Sequence, residues 1–317
     1  MLLFLPAKLF AVLNIAVPFI LSLLLIFVFR RFLPKDQGRE FAFNGALSAG
    51  KIRGAGLLFI IAFVLSSPLF VTPNAENLLY LACVFISMLS GYFDDRSKTP
   101  WNEYKKGLLD LVICALTATL FATTNPGLLS LSLFGLKLSL PLPVYIIIGT
   151  VFLWMMINAV NCSDGIDGYS GSLAVNSMIF ISLAGAAVSD YKDARSMAVV
   201  MIFVLLPYLW FNSEPSSMMM GDAGSRAIGI FLGIMIMKTG NMLLSVPLCL
   251  VFILDGLLGI AKVSLKRFLK ISILKNVRTP IHDHLRKNKG WSNTQTIYRL
   301  NIFQALVSIV TVILLGK

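Results

Sequence analysis

Residues 10–32 read FAVLNIAVPFILSLLLIFVFRRF, and this stretch decides the fold class. No charge interrupts it before Arg30-Arg31. Crossing the hydrocarbon core of a bilayer takes roughly 20 helical residues, and the run is too long for a buried strand or a soluble core helix. Working outward, about ten such blocks recur, at 10–32, 54–71, 77–93, 107–124, 143–160, 171–188, 196–211, 227–237, 242–264 and 297–315. Of the 317 residues, 57% are hydrophobic and 13% charged, with a mean hydropathy of +0.83. A soluble domain is nearer half apolar and a quarter charged. The sequence predicts an all-α polytopic membrane protein of about ten transmembrane helices, forming one integral domain over 1–317. No internal repeat and no separate soluble domain is visible. The first block is long enough to span, so it is not read as a cleavable signal.

The net charge of +12 does not imply nucleic acid, because the basic residues lie between apolar blocks and form no soluble basic domain. Alternating the loops leaves only Lys8, Lys137, Lys192, Arg195, Lys238 and Lys317 on one side, and the rest of the 27 Lys and Arg on the other. That asymmetry puts the basic side in the cytoplasm and both termini outside. The outer loop NPGLLSLSLFGLKLSLPL, residues 125–142, alternates Leu and Ser around Phe134-Gly135 and predicts a small extracytoplasmic β-hairpin. Cys83, Cys114, Cys162 and Cys249 are scattered without metal spacing and read as small core residues.

Carboxylates are costly in and near a membrane, so their placement is informative. Asp94 and Asp95 close the third block in GYFDDRSK, Asp164 and Asp167 lie in NAVNCSDGIDGYSG, and Asp222 lies in MMMGDAGSRAIG. The three-residue spacing of Asp164 and Asp167 places them on one face if the segment is helical. Any one of these motifs alone reads as ordinary loop punctuation. Three on the same, cytoplasmic face read as a site, because converging carboxylates repel unless a cation offsets them. Hard oxygen donors with only two histidines favour Mg²⁺ over zinc. The basic stretch TPIHDHLRKNKGW, residues 279–291, supplies groups that hold phosphate. Together these point to phosphoryl or pyrophosphate chemistry at the inner face.

GYFDD, NAVNCSDGIDGYSG and FNSEPSSMMMGDAGS, in this order and spacing, resemble the polyprenyl-phosphate N-acetylhexosamine-1-phosphate transferase superfamily. The C-terminal TPIHDHLRKNKGW is most similar to the MraY-type branch, the phospho-MurNAc-pentapeptide translocases. The resemblance implies transfer of phospho-MurNAc-pentapeptide from UDP-MurNAc-pentapeptide to undecaprenyl phosphate in the bacterial cytoplasmic membrane. The products are lipid I and UMP, in peptidoglycan synthesis. The resemblance also suits a homodimer. It implies that Asp222 binds Mg²⁺ and that Asp94 and Asp95 engage or deprotonate the lipid phosphate. Asn161, Asp164 and Asp167 fall in the nucleotide-sugar segment, Asn212 matches a polar pocket residue, and Lys51 matches a basic position before the second block. His282 and His284 are expected to donate to phosphate or sugar, and either Lys105 or Lys106 contacts phosphate. The plain alternative for Lys106 is an i,i+4 ion pair with Asp110.

Three departures bear on the sugar nucleotide more than on the reaction class. A Thr-Pro stretch is missing from GKIRGAGLLF, Met219 stands where the family stacks phenylalanine on uracil, and Asp283 replaces the middle histidine. A UDP-HexNAc donor for teichoic acid or another glycopolymer is therefore the first alternative. A non-enzymatic transporter is a remote one, because it calls for mid-span ionisable residues and only Asp255 qualifies. The plain reading of Asp255 is a polar residue paired inside the bundle. Residues 258–278 are basic and apolar together and predict a helix along the inner interface, bordering either a polyprenyl groove or anionic headgroups.

Overall fold

A computed structural model describes residues 2–36, 38, 48–97, 99, 101–133, 136–187 and 191–316. The hairpin turn expected at Phe134-Gly135 and the basic residues Arg39, Lys98 and Lys317 lie outside them. The helices run α1 (Ala7–Phe29), α2 (Gly56–Ser66), α3 (Ala75–Arg96) and α4 (Glu103–Thr124). After strands β1 (Ser130–Leu133) and β2 (Leu136–Ser139) come α5 (Leu142–Ser163), α6 (Tyr169–Ala184), α7 (Lys192–Asn212) and α8 (Gly221–Lys238). The chain closes with α9 (Ser245–Leu248), α10 (Leu250–Phe252), a π turn (Ile253–Leu257), α11 (Leu258–Phe268), α12 (Ile281–Lys289) and α13 (Asn293–Leu315).

Each apolar block carries helix. Among the described residues, six helices are long and apolar enough to cross a membrane, or seven if the bent pair 242–248 and 250–268 is one span. Asn74 and Asn102 cap α3 and α4 by accepting from Asn77 N–H and Lys105 N–H, each at 2.8 Å. A Ser292/Gln295 capping box starts α13. α1 and α13 bury little of themselves, so their apolar sides face outward, as bilayer-facing helices do. The expected hairpin is present, with Ser130 paired to Ser139 and Leu133 to Leu136.

The centre is α8, every residue of which is buried between α3, α5 and α2. It begins at Gly221, earlier than the expected 227, because its charged first turns are satisfied by neighbouring helices instead of by water. Helix approach is close here: a Cβ on Gly91 of α3 would lie 2.2 Å from the Asp222 carbonyl oxygen.

Two expectations are corrected. The ninth block is not one straight helix but turns by 85° at Cys249, just after Pro247. Gln304 of α13 fills the gap in the hydrogen-bond ladder, accepting from Val251 N–H at 2.9 Å and donating to the Pro247 carbonyl at 2.9 Å. The amphipathic helix expected over 258–278 stops at Phe268, where Lys270 and Leu274 take left-handed φ of 59° and 47°. Lys262 instead folds back to the Val277 carbonyl at 2.7 Å.

Candidate functional site

The C-terminal ends of α3, α5 and α7 and the N-terminal ends of α4 and α8 meet at one end of the bundle, so the sequence motifs converge there. The hairpin follows α4 and lies at the opposite end. At the motif end Lys106, one turn into α4, forms ion pairs with Asp94 and, at 3.4 Å, with Asp222. Asp94 also accepts from Trp101 N–H at 2.9 Å. Arg226, one turn after Asp222 on α8, reaches Asp222 at 3.2 Å and Asp110 at 3.0 Å. Asn161 donates to Asp222 at 3.2 Å and to Ser225 at 2.9 Å. Asp222 and Asp94 thus share one lysine, while Arg226 and Asn161 brace Asp222 from behind.

Asp95 plays a different part. Its side chain is fully buried and accepts from Arg53 Nε at 2.8 Å, Asp222 N–H at 3.1 Å and Ala223 N–H at 3.0 Å. It therefore caps α8, where a carboxylate meets unpaired N–H groups and the positive end of the helix dipole. Gly221 allows the approach: its φ is +68°, and a Cβ there would lie 2.3 Å from an Asp95 oxygen. Arg53 links this cap to Asp36 at 3.3 Å. Burial works against the charge of Arg53, but the carboxylates of Asp95, Asp222 and Asp36 outweigh it and push the guanidinium above its ordinary value.

A second group forms around the loop between α5 and α6. Asp164 and Asp167 do not share a helical face, because α5 ends at Ser163 and 164–168 is a turn. Lys51 bridges Asp167 at 2.7 Å and Ser216 at 2.9 Å. Buried Asn212 accepts from Gly168 N–H at 2.7 Å and donates to the Met218 carbonyl at 2.8 Å, so it clamps two loops together. Met219 is zipped to the 52–55 segment through its backbone, with Met219 N–H to Ile52 O at 2.8 Å and Ala55 N–H to Met219 O at 3.1 Å.

The basic stretch forms α12. His282 is buried with its Nδ1 2.7 Å from Asp255, whereas His284 Nδ1 accepts from Arg278 N–H at 3.3 Å. Asp283 pairs with Arg286 at 2.6 Å, and Arg286 continues to Asn293 at 3.0 Å, which donates to Glu214 at 2.8 Å. Asp283 is thus committed to a strut between α12 and the 213–220 loop. Lys105 lies over the Trp101 ring at 3.6 Å, and Lys106 alone of the two joins the carboxylates. The alternative Lys106–Asp110 pair gives way to Asp110–Arg226.

Sequence reasoning passed over Arg53, Asp36 and Arg226 as site residues. Only Arg226 left a local signal: it falls four residues after Asp222 at the start of an apolar run.

A cavity of about 950 Å³ opens beside the cluster. Lys106, Asp110, Asn161 and Arg226 form its polar end. Leu111, Trp154 and Ile157 line it from α4 and α5, and Ile260, Val263 and Phe268 from α11. Among the described residues, no group of three or more His, Cys, Asp and Glu side chains gathers to hold a metal by protein ligands alone. Asp94 and Asp222 around one lysine nevertheless fit Mg²⁺, which takes one or two carboxylates and completes its six positions with substrate phosphates and water.

Residues 77–240 match glycosyl transferase family 4. The chain is 37% identical over 297 residues to the phospho-N-acetylmuramoyl-pentapeptide-transferase of Treponema pallidum strain Nichols, covering 88% of this chain and 82% of that one. It is 28% identical over 286 residues to the protein of that name from Sulfurimonas denitrificans, covering 82% and 79%. The corresponding Wolbachia protein (strain wRi) is 25% identical over 275 residues, covering 81% and 82%. With its apolar helices, this is a multi-pass membrane protein. The chain belongs to glycosyl transferase family 4 and, within it, to the phospho-N-acetylmuramoyl-pentapeptide-transferases.

Proposed function

We propose that this protein transfers phospho-MurNAc-pentapeptide from UDP-MurNAc-pentapeptide to undecaprenyl phosphate, giving lipid I and UMP. The observation that carries the reading is Lys106, shared by Asp94 and Asp222, at the end of a cavity that also carries apolar walls from Leu111, Trp154, Ile157, Ile260, Val263 and Phe268. That arrangement suits a reactant with a phosphate head and a hydrocarbon tail. The site lies on the cytoplasmic face of the bacterial inner membrane, in a ten-span bundle with both termini outside. This side follows from the Lys and Arg excess in the loops that bear the site. A homodimer suits the family.

The lipid phosphate oxygen attacks the β-phosphorus of the diphosphate. A new phosphorus–oxygen bond forms, the bond from the β-phosphorus to the bridging oxygen breaks, and the electron pair leaves with UMP. Asp94 takes the proton of the lipid phosphate, and Lys106 holds that phosphate against Asp94. Asp222 would hold Mg²⁺, which when bound would supply charge that offsets the diphosphate oxygens. Arg226 and Asn161 fix Asp222, and Asp95 fixes the start of α8 that carries it. Asp167, Lys51 and Asp164 border the nucleotide-sugar side, with Met219 at the position of the uracil-stacking residue. Direct attack is favoured over an aspartyl intermediate because the lipid phosphate is already an anionic nucleophile. A phosphoaspartyl enzyme trapped in a single turnover without lipid overturns that choice.

Offering UDP-MurNAc-pentapeptide and UDP-GlcNAc in parallel, with undecaprenyl phosphate, tests the substrate. A butanol-extractable lipid and UMP are expected from the first. Product from UDP-GlcNAc alone makes this a HexNAc-1-phosphate transferase, the reading that Met219 in place of a stacking phenylalanine keeps in play. Product from neither sinks both.

A further inference from the structure

A carboxylate–histidine pair lies away from the Asp94–Asp222 cluster, where the ninth helix breaks. Asp255 sits in the π turn Ile253–Leu257, and both its side chain and that of His282 are almost fully buried. One Asp255 oxygen accepts from His282 N–H at 2.8 Å, and the other lies 2.7 Å from His282 Nδ1. A carboxylate offers only acceptors, so Nδ1 carries the proton and the ring is held at two points. The opposite edge of the ring meets the α5–α6 loop, where a Cβ built on Gly165 would lie 2.4 Å from His282 Nε2, and Asp283 Oδ1 lies 3.8 Å from the same nitrogen. Tyr169, at the start of α6, packs edge-on against the same ring at 5.8 Å. His282 is therefore wedged between the broken helix and the turn that carries Asp164 and Asp167.

We infer that Asp255 is a positioning residue: it locks the His282 ring as the seat of loop 164–168, and so sets the nucleotide-sugar side of the site from the bend in the ninth helix. The inference rests on reading that loop as the nucleotide-sugar subsite. In Asp255→Asn the side chain retains one acceptor for the backbone N–H and turns a donor toward Nδ1. The proton then moves to Nε2, on the edge shared by Gly165 and Asp283, the tautomer error that such a substitution produces in a hydrogen-bonded Asp–His pair. The loop loses its seat while the Lys106 cluster stays as it is.

With only two histidines in the chain, the test is direct. The two differ in tautomer: His282 is protonated on Nδ1, and His284, whose Nδ1 accepts from Arg278 N–H, is protonated on Nε2. ¹⁵N spectra of the full-length protein labelled at histidine, with His284→Gln to assign the signals, are expected to show this split. Asp255→Asn is expected to convert the His282 signal to the Nε2 form. It should raise KM for UDP-MurNAc-pentapeptide by roughly 10–100-fold, the range seen when a carboxylate that orients a metal-bound histidine is lost, with KM for undecaprenyl phosphate unchanged. A merely structural role lowers the active fraction and leaves both KM values alone, and that result overturns the proposal. So does a wild-type His282 protonated on Nε2. Gly165→Ala is a second variant that leaves Asp255 intact and is expected to raise the same KM; unchanged binding there counts against the proposal. Wild-type protein that shows the split tautomers but releases no UMP sinks the reading of function and leaves the Asp255–His282 anchor standing.

Discussion

The two ends of the bundle both bury charge, yet they use it in opposite ways. At the hairpin end, Glu76 of α3 takes donors from Tyr80 at 2.8 Å, Asn125 at 2.7 Å and Lys238 at 3.1 Å, and Lys238 also reaches Asn125 at 2.9 Å. One acid meets one base, and the surrounding polar groups complete the set. At the motif end, among the described residues, the five carboxylates of Asp36, Asp94, Asp95, Asp110 and Asp222 pair with three bases, Arg53, Lys106 and Arg226. The excess of carboxylates lies beside an open cavity. The first arrangement pairs one acid with one base and fastens helices; the second leaves carboxylate charge in excess, which suits a cation. Burial of ionised groups alone does not mark a site. An unmatched set with an opening does.

The sharpest way to break this contrast is to remove an acid from the unmatched end. Asp222→Asn or Asp94→Asn is expected to cut kcat by about 10²–10⁴-fold, with helix content by circular dichroism unchanged; full turnover in both variants defeats the site assignment. At the matched end the effect falls on stability. Lys238→Met leaves the partly exposed Glu76 with only its Tyr80 and Asn125 donors and is expected to cost about 1.5–3 kcal/mol in denaturant unfolding, the worth of a hydrogen bond to a charged group. Glu76→Gln added to it should recover most of that loss, while turnover per folded molecule stays constant. Lys106 and Lys105 sharpen the comparison within the motif end. Lys106→Ala loses charge-assisted bonds worth about 1.5–3 kcal/mol, or roughly 10–100-fold in kcat/KM for undecaprenyl phosphate. Lys105→Ala loses a cation–π contact of about 0.5–1 kcal/mol, read as stability and not as turnover. Smallest of all is Asp283→His, which removes an i,i+3 pair worth about 0.2–0.5 kcal/mol. Because Asp283 is turned toward Arg286, preference between the two UDP-sugars is expected to stay the same; a switch in preference brings α12 into the sugar pocket.

Much of this was legible in the chain because membrane segments announce themselves by length and acids by their cost. The apolar blocks located the helices, and GYFDD, NAVNCSDGIDGYSG and MMMGDAGS located the carboxylates that converge. What stayed hidden depends on rotation about a helix axis or on partners far apart in sequence. Lys105 and Lys106 are neighbours, and only the phase of α4 sends one to Trp101 and the other to Asp94. Asp95 reads like a twin of Asp94, but it meets the first N–H groups of a helix that starts more than a hundred residues later. Asp255 gave no sign of its histidine, and the bend at Cys249 is held open by Gln304 from the last helix. Such pairings have no period for a sequence to display.

The 85° turn in the ninth helix carries one more consequence. It brings Ile260, Val263 and Phe268 of α11 to the wall of the cavity beside Lys106. A reactant dissolved in the bilayer reaches its enzyme by sliding in two dimensions, while its water-soluble partner arrives from three. The enzyme then works as a junction between a surface and a volume. Its throughput depends on how many carrier molecules each unit of membrane area holds, a quantity that stirring or diluting the aqueous phase leaves untouched.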